Sequence, residues 1–197
     1  PVIRIKSPKS GSTIINDLVQ GKIEVANSEL DDMVILRSDG TPTYNLAVIV
    51  DYYDMNISHI IRGDDHMNNS FRQKIIYDAL NWQMPQCAHI PLIHGSDGAK
   101  MSKRHGATNV MEYAKMGYLS CAMRNYLLRL GWSHQDAEII SDQEAINWFN
   151  IEKVGRSPSR FDFDKLNNLN KHYIKSSDNK ELLNLDKLEL LTFHSQQ

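Results

Sequence analysis

Three cations fall within five residues in the stretch Lys100-Met101-Ser102-Lys103-Arg104. The residues before it, 95–99, are too rich in glycine and polar side chains for the interior of a helix or strand. Before those, residues 89–93 predict a short buried strand. A cationic loop after a strand end is well placed to bind phosphates, because lysine ammonium groups are compact charges on flexible stems. A solvated surface loop is the alternative, and it is the commoner meaning of a basic pentapeptide.

Size and composition are those of an ordinary globular chain. Its 197 residues are enough for one or two domains. A net charge of −2 gives no general attraction to nucleic acid, so any such binding must come from local patches. Cys87 and Cys121 make no disulfide framework, which predicts a reduced, cytoplasmic setting, and no apolar run reaches membrane-spanning length. Because the chain opens on Pro1 and is strand-like from its first residues, we expect a piece of a longer polypeptide.

The first half of the chain predicts an α/β fold. Residues 1–37 alternate between apolar and polar positions, with turn-rich stretches between, and so predict a small β segment. Residues 44–55 predict a buried helix, with a strand as the alternative. A strand at 57–61, a helix at 67–81 and the strand at 89–93 follow. A strand–helix–strand unit of this length favours parallel pairing of its two strands.

After the cationic loop the predicted structure is helical. The predicted helices lie at 110–116, at 119–130, at 141–149, from 162 onward, and at 181–197, with a linker-like stretch at 176–180. The clearest start signal is the capping box formed by Ser141 and Glu144. This change of character predicts a helical region that follows the α/β part.

Arg62 is the strongest candidate for a ligand-binding side chain. It stands at the carboxyl end of the predicted strand 57–61, where open α/β sheets place ligands, and arginine offers a planar donor fork that suits a carboxylate. The alternative is a structural ion pair with Asp64 or Asp65. Tyr44, beside a predicted turn, becomes a ligand candidate only if it faces the same crevice as Arg62; otherwise it is a half-buried packing residue.

The remaining patterns are weaker. Residues 153–160 contain three cations, Lys153, Arg156 and Arg160, which suit RNA phosphates or simply a solvated loop. The histidines show no HxxxH or HExxH spacing, so no protein-bound metal is predicted. No Walker loop, GxGxxG, Gly-x-Ser-x-Gly or Cys–His signature points to another class of enzyme.

Several motifs together resemble the bacterial glutamyl-tRNA synthetases over nearly all of residues 1–175. The stretch at 100–103 matches the KMSK signature of class I aminoacyl-tRNA synthetases. The other matching stretches are 2–6, 30–32, 36–47, 60–66, 100–107 and 161–166. We know no other family in which these stretches occur together.

The resemblance implies roles for individual residues. Tyr44 and Arg62 match the residues that line the glutamate pocket, whereas Val48 stands where some members have a glutamate-binding Asn, so that contact is not carried over. The implied ATP-binding residues are Asp65, Leu92, Ile93, Ser102 and Lys103. Lys100 and Lys103 are the implied catalytic residues, because they would neutralise charge on the departing pyrophosphate. Lys153, Arg156 and Arg160 are candidate tRNA contacts on the basis of their charge rather than of the resemblance.

The resemblance also implies the reaction and its partners. Glutamate would react with ATP to form glutamyl-adenylate, and the glutamyl group would pass to the 3′ end of tRNA(Glu). Mg²⁺ would accompany ATP rather than occupy a protein cage. The full-length protein would be a monomer with no membrane association.

One part of the family pattern is missing. The first class I signature, His-Ile-Gly-His or a close variant, occurs nowhere in the chain. The implied fold is therefore the second half of a Rossmann-like catalytic domain followed by a helix-rich stem-contact region. The implied boundaries are 1–42 for the end of a connective insert, 43–98 for the catalytic half, 99–175 for the signature loop and stem-contact helices, and 176–197 for the first anticodon-binding helices.

We therefore predict that these residues alone do not activate glutamate. Three alternatives stay open at this point. The first is a truncated paralogue that charges a modified tRNA base, which would lack the helices at 108–175. The second is a non-catalytic tRNA-binding module, and the third is a proteolytic or engineered fragment.

Overall fold

The computed structural model describes residues 1–102, 109–180 and 182–183. The strands in these ranges are β1 (Ile3–Arg4), β2 (Ser12–Asp17), β3 (Gly21–Ala26), β4 (Val34–Leu36), β5 (His59–Gly63), β6 (Gln86–Ile90), β7 (Ile93–His94) and β8 (Ser159–Arg160). The helices are α1 (Tyr44–Asp54), α2 (Met67–Leu80), α3 (Val110–Lys115), α4 (Ser120–Gly131), α5 (Asp142–Trp148) and α6 (Phe163–Ser176). The helix predicted at 181–197 lies almost entirely outside the described residues.

The chain divides into two compact units. Unit 1 contains Pro1–Pro91 and the short segment Val154–Arg156. Unit 2 contains Leu92–Lys153 and Ser157–Gln197. The four domain boundaries expected from the resemblance stay a prediction.

A four-stranded sheet organises unit 1, in the order β3-β2-β6-β5. β5 and β6 are parallel, with α2 between them in sequence, as the strand–helix–strand pattern predicted. The strand predicted at 89–93 is displaced: β6 begins at Gln86 and ends at Ile90, just before Pro91, so both of its ends lie three residues earlier than predicted. Proline has no N–H to offer a neighbouring strand, so it ends the ladder there. β1 and β4 form a separate antiparallel pair.

The apolar faces of this sheet and of the two helices make the core of unit 1. One cluster of buried side chains joins sheet and α2, and its members are Ile15, Leu30, Ile60, Phe71, Ile75 and Cys87. A second cluster joins α1 to α2 and contains Met33, Ile49, Ile76 and Tyr77. Residues 44–54 form the predicted helix, but within it only Ile49 is buried, so α1 is a half-exposed helix rather than a buried one.

Asp17 locks the β2–β3 hairpin onto β6. Its Oδ1 accepts hydrogen bonds from the backbone N–H groups of Val19 and Gln20, each at 2.9 Å, and its Oδ2 accepts one from His89 Nδ1 at 2.6 Å. Burial opposes ionisation of Asp17, but the hydrogen bonds from Gln20, His89 and Val19 outweigh it and lower the pKa of the carboxyl group. The same turn is also covered by Arg156, whose Nε donates to Val19 O at 2.8 Å.

In unit 2, α3, α4 and α6 pack together through a cluster rich in aromatic side chains. The buried members are Tyr113, Met123, Tyr126, Phe161 and Leu166. α6 begins as predicted, because Asp162 caps it by accepting from the N–H groups of Asp164 and Lys165. The capping box predicted at Ser141 and Glu144 is also confirmed at the start of α5.

Leu166→Ala tests this cluster. Leu166 is fully buried, so truncation should lower the free energy of unfolding of unit 2 by about 3 kcal/mol through lost contacts and the cavity left behind. Leu127→Ala on α4 is the matched control, because Leu127 is 42% exposed and should cost about 1 kcal/mol or less. In a Trp82→Phe background, the fluorescence of Trp132 and Trp148 reports unit 2 during urea unfolding. Equal costs for the two truncations would contradict the packing described.

A second prediction concerns Asp17 and pH. Because its pKa is lower in the folded chain than the ordinary value of about 3.9, the unfolded state binds more protons at acidic pH, and stability from this group falls as pH falls. Asp17→Asn should therefore cost about 1–3 kcal/mol above pH 5. The difference between the two proteins should shrink as pH drops below about 4. Urea unfolding of both proteins between pH 3 and pH 6 measures it, and a difference that stays constant would be the contrary result.

Candidate functional site

Arg62 lies next to the carboxyl end of β5, directly opposite His89 on β6. Two parallel strands therefore bring their last polar side chains to the same edge of the sheet. This is the place where open α/β sheets bind ligands. The predicted position of Arg62 at a strand end is thus what the fold shows.

Three of the five N–H donors of the Arg62 guanidinium are already used. Nε donates to His89 Nε2 at 3.2 Å, and Nη2 donates to Ser70 Oγ at 2.5 Å and to Gln73 Oε1 at 3.0 Å. None of the three acceptors is a carboxylate. The ion pair with Asp64 or Asp65 considered from the sequence is not among these contacts.

The fourth and fifth donors, on Nη1, have no hydrogen-bond partner among the described residues, although the atom is buried. A buried cation with unused donors and no carboxylate partner is energetically unfavourable unless something anionic completes it. The geometry of a guanidinium makes a carboxylate the natural complement. Arg62 therefore has the chemistry of a carboxylate receptor.

The partners of Arg62 are themselves held in a buried network, which we call the arginine cradle: Asp17, Asn45, Ser70, Gln73 and His89. Ser70, Gln73 and His89 are fully buried. Ser70 Oγ lies 3.1 Å from His89 Nε2, and Gln73 Nε2 donates to Asn45 Oδ1 at 3.3 Å. The cradle thus joins β2, β6, α1 and α2 around one guanidinium.

Tyr44 is the first residue of α1 and its side chain is 56% exposed. Tyr52 lies two turns further along the same helix. Burial raises the pKa of Tyr52, the neighbouring Tyr44 phenol raises it further, and the Arg62 guanidinium acts in the opposite direction. Tyr44 and Arg62 are therefore both electrostatic neighbours of Tyr52, and a shared crevice for Tyr44 and Arg62 stays a prediction.

Asp65 is exposed in a short 3-10 turn, Asp64–His66, which directly follows β5. Val48 lies one turn after Tyr44 on α1 and packs against the cluster of Met33, Ile49, Ile76 and Tyr77. Its role in the structure is therefore an apolar one.

In unit 2 the beginning of the cationic loop folds back on β7. Met101 N donates to Ile93 O at 2.9 Å, Gly95 N donates to Ala99 O at 2.8 Å, and His94 and Lys100 form an antiparallel bridge. These bonds bring Lys100, implied as catalytic by the resemblance, and Ser102, implied as ATP-binding, close to Leu92 and Ile93, which are also implied as ATP-binding. Lys103 and Arg104 lie outside the described residues, so their predicted roles have no structural description.

A cleft of about 670 Å³ opens beside this turn in unit 2. Its lining residues are Gly95, Ser96, Met101, Arg160, Phe161, Asp162, Phe163 and Asp164. Arg160 is exposed and sits on β8, which pairs in parallel with β7. A cation therefore lines the cleft together with Met101 of the signature stretch.

The other two cations of the basic stretch have different surroundings. Lys153 is exposed at the end of a 3-10 turn, Ile151–Lys153, in unit 2. Arg156 is exposed but belongs to unit 1, where it packs against the β2–β3 turn so closely that a Cβ on Gly21 would lie 3.3 Å from its Nη2. Arg156 therefore has a structural contact that the sequence did not predict.

Within the described ranges the structure contains no cluster of three or more His, Cys, Asp and Glu side chains that suits a metal ion. In the same residues no helix has the length and apolar character needed to cross a bilayer.

The sequence did not predict the arginine cradle. The one available signal was His89, a polar residue inside the otherwise apolar run of a buried strand. Asp17 falls within the predicted β segment 1–37, and Ser70 and Gln73 fall within the predicted helix 67–81, with nothing in the sequence to bring them together. Their meeting depends on strand order, which places β2 beside β6 across 72 residues of sequence.

Comparison with known proteins agrees with this geometry. Residues 1–168 match the family described as tRNA synthetases class I (E and Q), catalytic domain. The chain is 62% identical over 185 residues to glutamate–tRNA ligase 2 of Rhodospirillum centenum, covering 94% of this chain and 40% of that protein. It is 63% identical over 181 residues to glutamate–tRNA ligase 2 of Paramagnetospirillum magneticum, covering 92% and 38%. The chain thus spans about two fifths of the length of these relatives.

Solved structures give the same result. A glutamate tRNA ligase from Elizabethkingia meningosepticum, crystallised in complex with its amino acid, matches with a TM-score of 0.86 and 34% identity over 97% of this chain and 42% of that one. The glutamate-tRNA synthetase of Elizabethkingia anophelis matches with a TM-score of 0.85 and 33% identity, covering 98% and 43%. The mixed α/β fold with parallel strands is therefore that of glutamyl-tRNA synthetase structures. The chain belongs to the class I tRNA synthetase (E and Q) catalytic-domain family.

Proposed function

We propose that the protein containing these residues activates L-glutamate with ATP and transfers the glutamyl group to the 3′ end of tRNA(Glu). The observation that carries this proposal is Arg62, a half-buried cation with unused donors on Nη1 and no carboxylate partner among the described residues. Family membership and the names of the relatives, glutamate–tRNA ligases, support the same reaction.

Arg62 and Tyr44 bind the glutamate substrate. A carboxylate of glutamate accepts from the Nη1 donors and supplies the anionic partner that Arg62 lacks among the described residues. Tyr44, exposed at the start of α1, offers a phenol and an aromatic face to the same ligand. Val48 contributes only apolar contact, so recognition on this side depends on fewer polar groups than in members with Asn at that position.

The reaction needs no protein nucleophile. The α-carboxylate of glutamate attacks the α-phosphorus of ATP, the bond to the β-phosphate oxygen breaks, and pyrophosphate leaves. The terminal ribose hydroxyl of tRNA then attacks the acyl carbon, loses its proton, and AMP leaves. Catalysis consists of positioning the reactants and stabilising charge.

We assign the ATP site to the residues that the family resemblance implies. Leu92 and Ile93 flank the adenine through their backbone, Ser102 donates to a phosphate, and Asp65 lies near the nucleotide. Lys100 and Lys103 neutralise charge on the departing pyrophosphate. Mg²⁺ arrives with ATP, held by phosphate oxygens and water more than by protein.

The tRNA contacts are assigned to Lys153, Arg156 and Arg160. Arg160 has the strongest support, because it lines the cleft beside the signature loop. Arg156 uses Nε for the Val19 carbonyl, which leaves its other N–H groups for phosphate. The full-length protein acts as a monomer in the cytoplasm.

Arg62→Gln in the longer protein tests the glutamate assignment. We expect glutamate-dependent ATP–pyrophosphate exchange to fall about 100-fold in kcat/KM for glutamate, since loss of one member of a buried charge pair costs about 2–5 kcal/mol. Arg72→Gln is the matched control, because Arg72 is a solvent-accessible guanidinium on α2 that pairs with Asp31. The control should stay within about twofold of the wild type. An equal loss in both variants, or none in Arg62→Gln, would refute the assignment.

The 197-residue chain and the longer protein should also differ in activity. Pyrophosphate exchange should be undetectable with the 197-residue chain alone, because it carries only the second class I signature. The polypeptide translated from the complete open reading frame, identified by intact mass, should be active under the same conditions. Exchange by the short chain near the rate of the longer one would contradict this prediction. Absence of exchange in the longer protein would contradict the proposed function.

A further inference from the structure

We propose that Asp17 and His89 form a buried positioning pair that fixes the orientation of Arg62 for the amino-acid substrate. The proposal rests on the proposed function of Arg62 and goes beyond it, because neither Asp17 nor His89 touches the substrate. Asp17 acts on His89, and His89 acts on Arg62. Both are therefore positioning residues for the carboxylate-binding guanidinium.

The first link is the contact between Asp17 and His89. Oδ2 of Asp17 lies 2.6 Å from Nδ1 of His89, and neither side chain has any solvent exposure. The carboxylate is held in place by the backbone N–H groups of Val19, Gln20 and His89. An ionised carboxylate can only accept, so His89 must carry a proton on Nδ1.

The second link is the contact between His89 and Arg62. An arginine Nε is a hydrogen-bond donor and never an acceptor, and that of Arg62 lies 3.2 Å from His89 Nε2. Nε2 must therefore offer a lone pair. The opposite tautomer would set two N–H groups against each other here and would face a lone pair towards the Asp17 carboxylate. An imidazolium would place a second cation beside the guanidinium.

The result is a fixed guanidinium. Nε is held by His89, and both donors of Nη2 are held by Ser70 and Gln73. Rotation of the planar group about its own axis would break all three contacts. Nη1 is thereby the part of the guanidinium left for a carboxylate. An arginine held this way loses little entropy when the substrate binds, which favours affinity.

Asp17→Asn distinguishes the positioning of Arg62 through His89 from a purely structural role of the Asp17 side chain. The Asn carbonyl oxygen can keep the backbone contacts of Oδ1, but its NH₂ group would then face His89 Nδ1. That nitrogen would have to accept, which moves the proton to Nε2 and turns it against Arg62. Asp17→Asn, which hardly changes the size of the side chain, is thus expected to change the tautomer of His89.

Kinetics in the longer protein give the first readout. For Asp17→Asn we expect the KM for L-glutamate in pyrophosphate exchange to rise about tenfold, with the KM for ATP within about twofold of the wild type. His89→Gln, whose carbonyl can still accept from Arg62 Nε, should be affected less than His89→Leu, which cannot. In the double variant Asp17→Asn/His89→Gln, the Asn substitution should add nothing further, because glutamine has no tautomer to flip.

Ile15→Ala is the matched structural control. Ile15 is buried on β2, two residues before Asp17, and packs in the apolar core. It should lower stability without changing the KM for glutamate. If Ile15→Ala raises that KM as much as Asp17→Asn does, or if Asp17→Asn leaves it within twofold, the positioning role is refuted.

The tautomer itself gives a readout that does not depend on activity. In the 197-residue chain labelled with ¹⁵N-histidine, two-bond ¹⁵N–¹H correlations show which ring nitrogen carries the proton, and His89→Gln identifies the signal of His89. We expect Nδ1–H in the wild type and Nε2–H in Asp17→Asn. Nε2–H in the wild type would refute the pair even if the enzyme is active. An inactive longer protein with the expected tautomers would refute the proposed function alone.

Discussion

The hydrogen bond between Asp17 and His89 holds the site together. It connects the hairpin of unit 1 to the parallel strands, and both partners are wholly removed from solvent. A buried carboxylate is tolerable only when its oxygens are satisfied. Here the turn that follows β2 supplies two N–H groups and β6 supplies the remainder. The β2–β3 turn thus holds the Asp17 carboxylate that hydrogen-bonds to His89 on β6.

The arrangement of charges around Arg62 depends on the hydrogen bond between Asp17 and His89. Asp17 and Arg62 are separated by the imidazole of His89, so in the proposed arrangement the negative charge orders the network without cancelling the positive one at close range. If Asp17 touched Arg62 directly, the guanidinium would be paired and would have little remaining affinity for a substrate carboxylate. Placing histidine between them keeps the cation available while every other polar atom of the cradle has a partner.

Parts of the chain with strong local signals were predictable from sequence. Helical spacing gave α2 almost to the residue, the pair Ser141 and Glu144 marked the start of α5, and Asp162 marked the start of α6. The position of Arg62 at a strand end also followed from pattern. β2, Ser12–Asp17, lies within the predicted β segment 1–37 and pairs with its sequence neighbour β3, but its pairing with β6 joins residues far apart in sequence and was not predicted. The arginine cradle was not predicted for the same reason, because its members are far apart in sequence and come together only in the folded chain.

The segment Val154–Arg156 packs in unit 1, and this has a consequence for folding during synthesis. These residues lie far downstream of Pro91, yet Val154 is buried and Arg156 covers the β2–β3 turn. A ribosome adds roughly 5–20 residues each second, so the earlier strands emerge on the order of seconds before the segment that finishes their surface. The β2–β3 turn of the nascent chain is consequently uncovered at first, and much of unit 2 must be synthesised before unit 1 is complete.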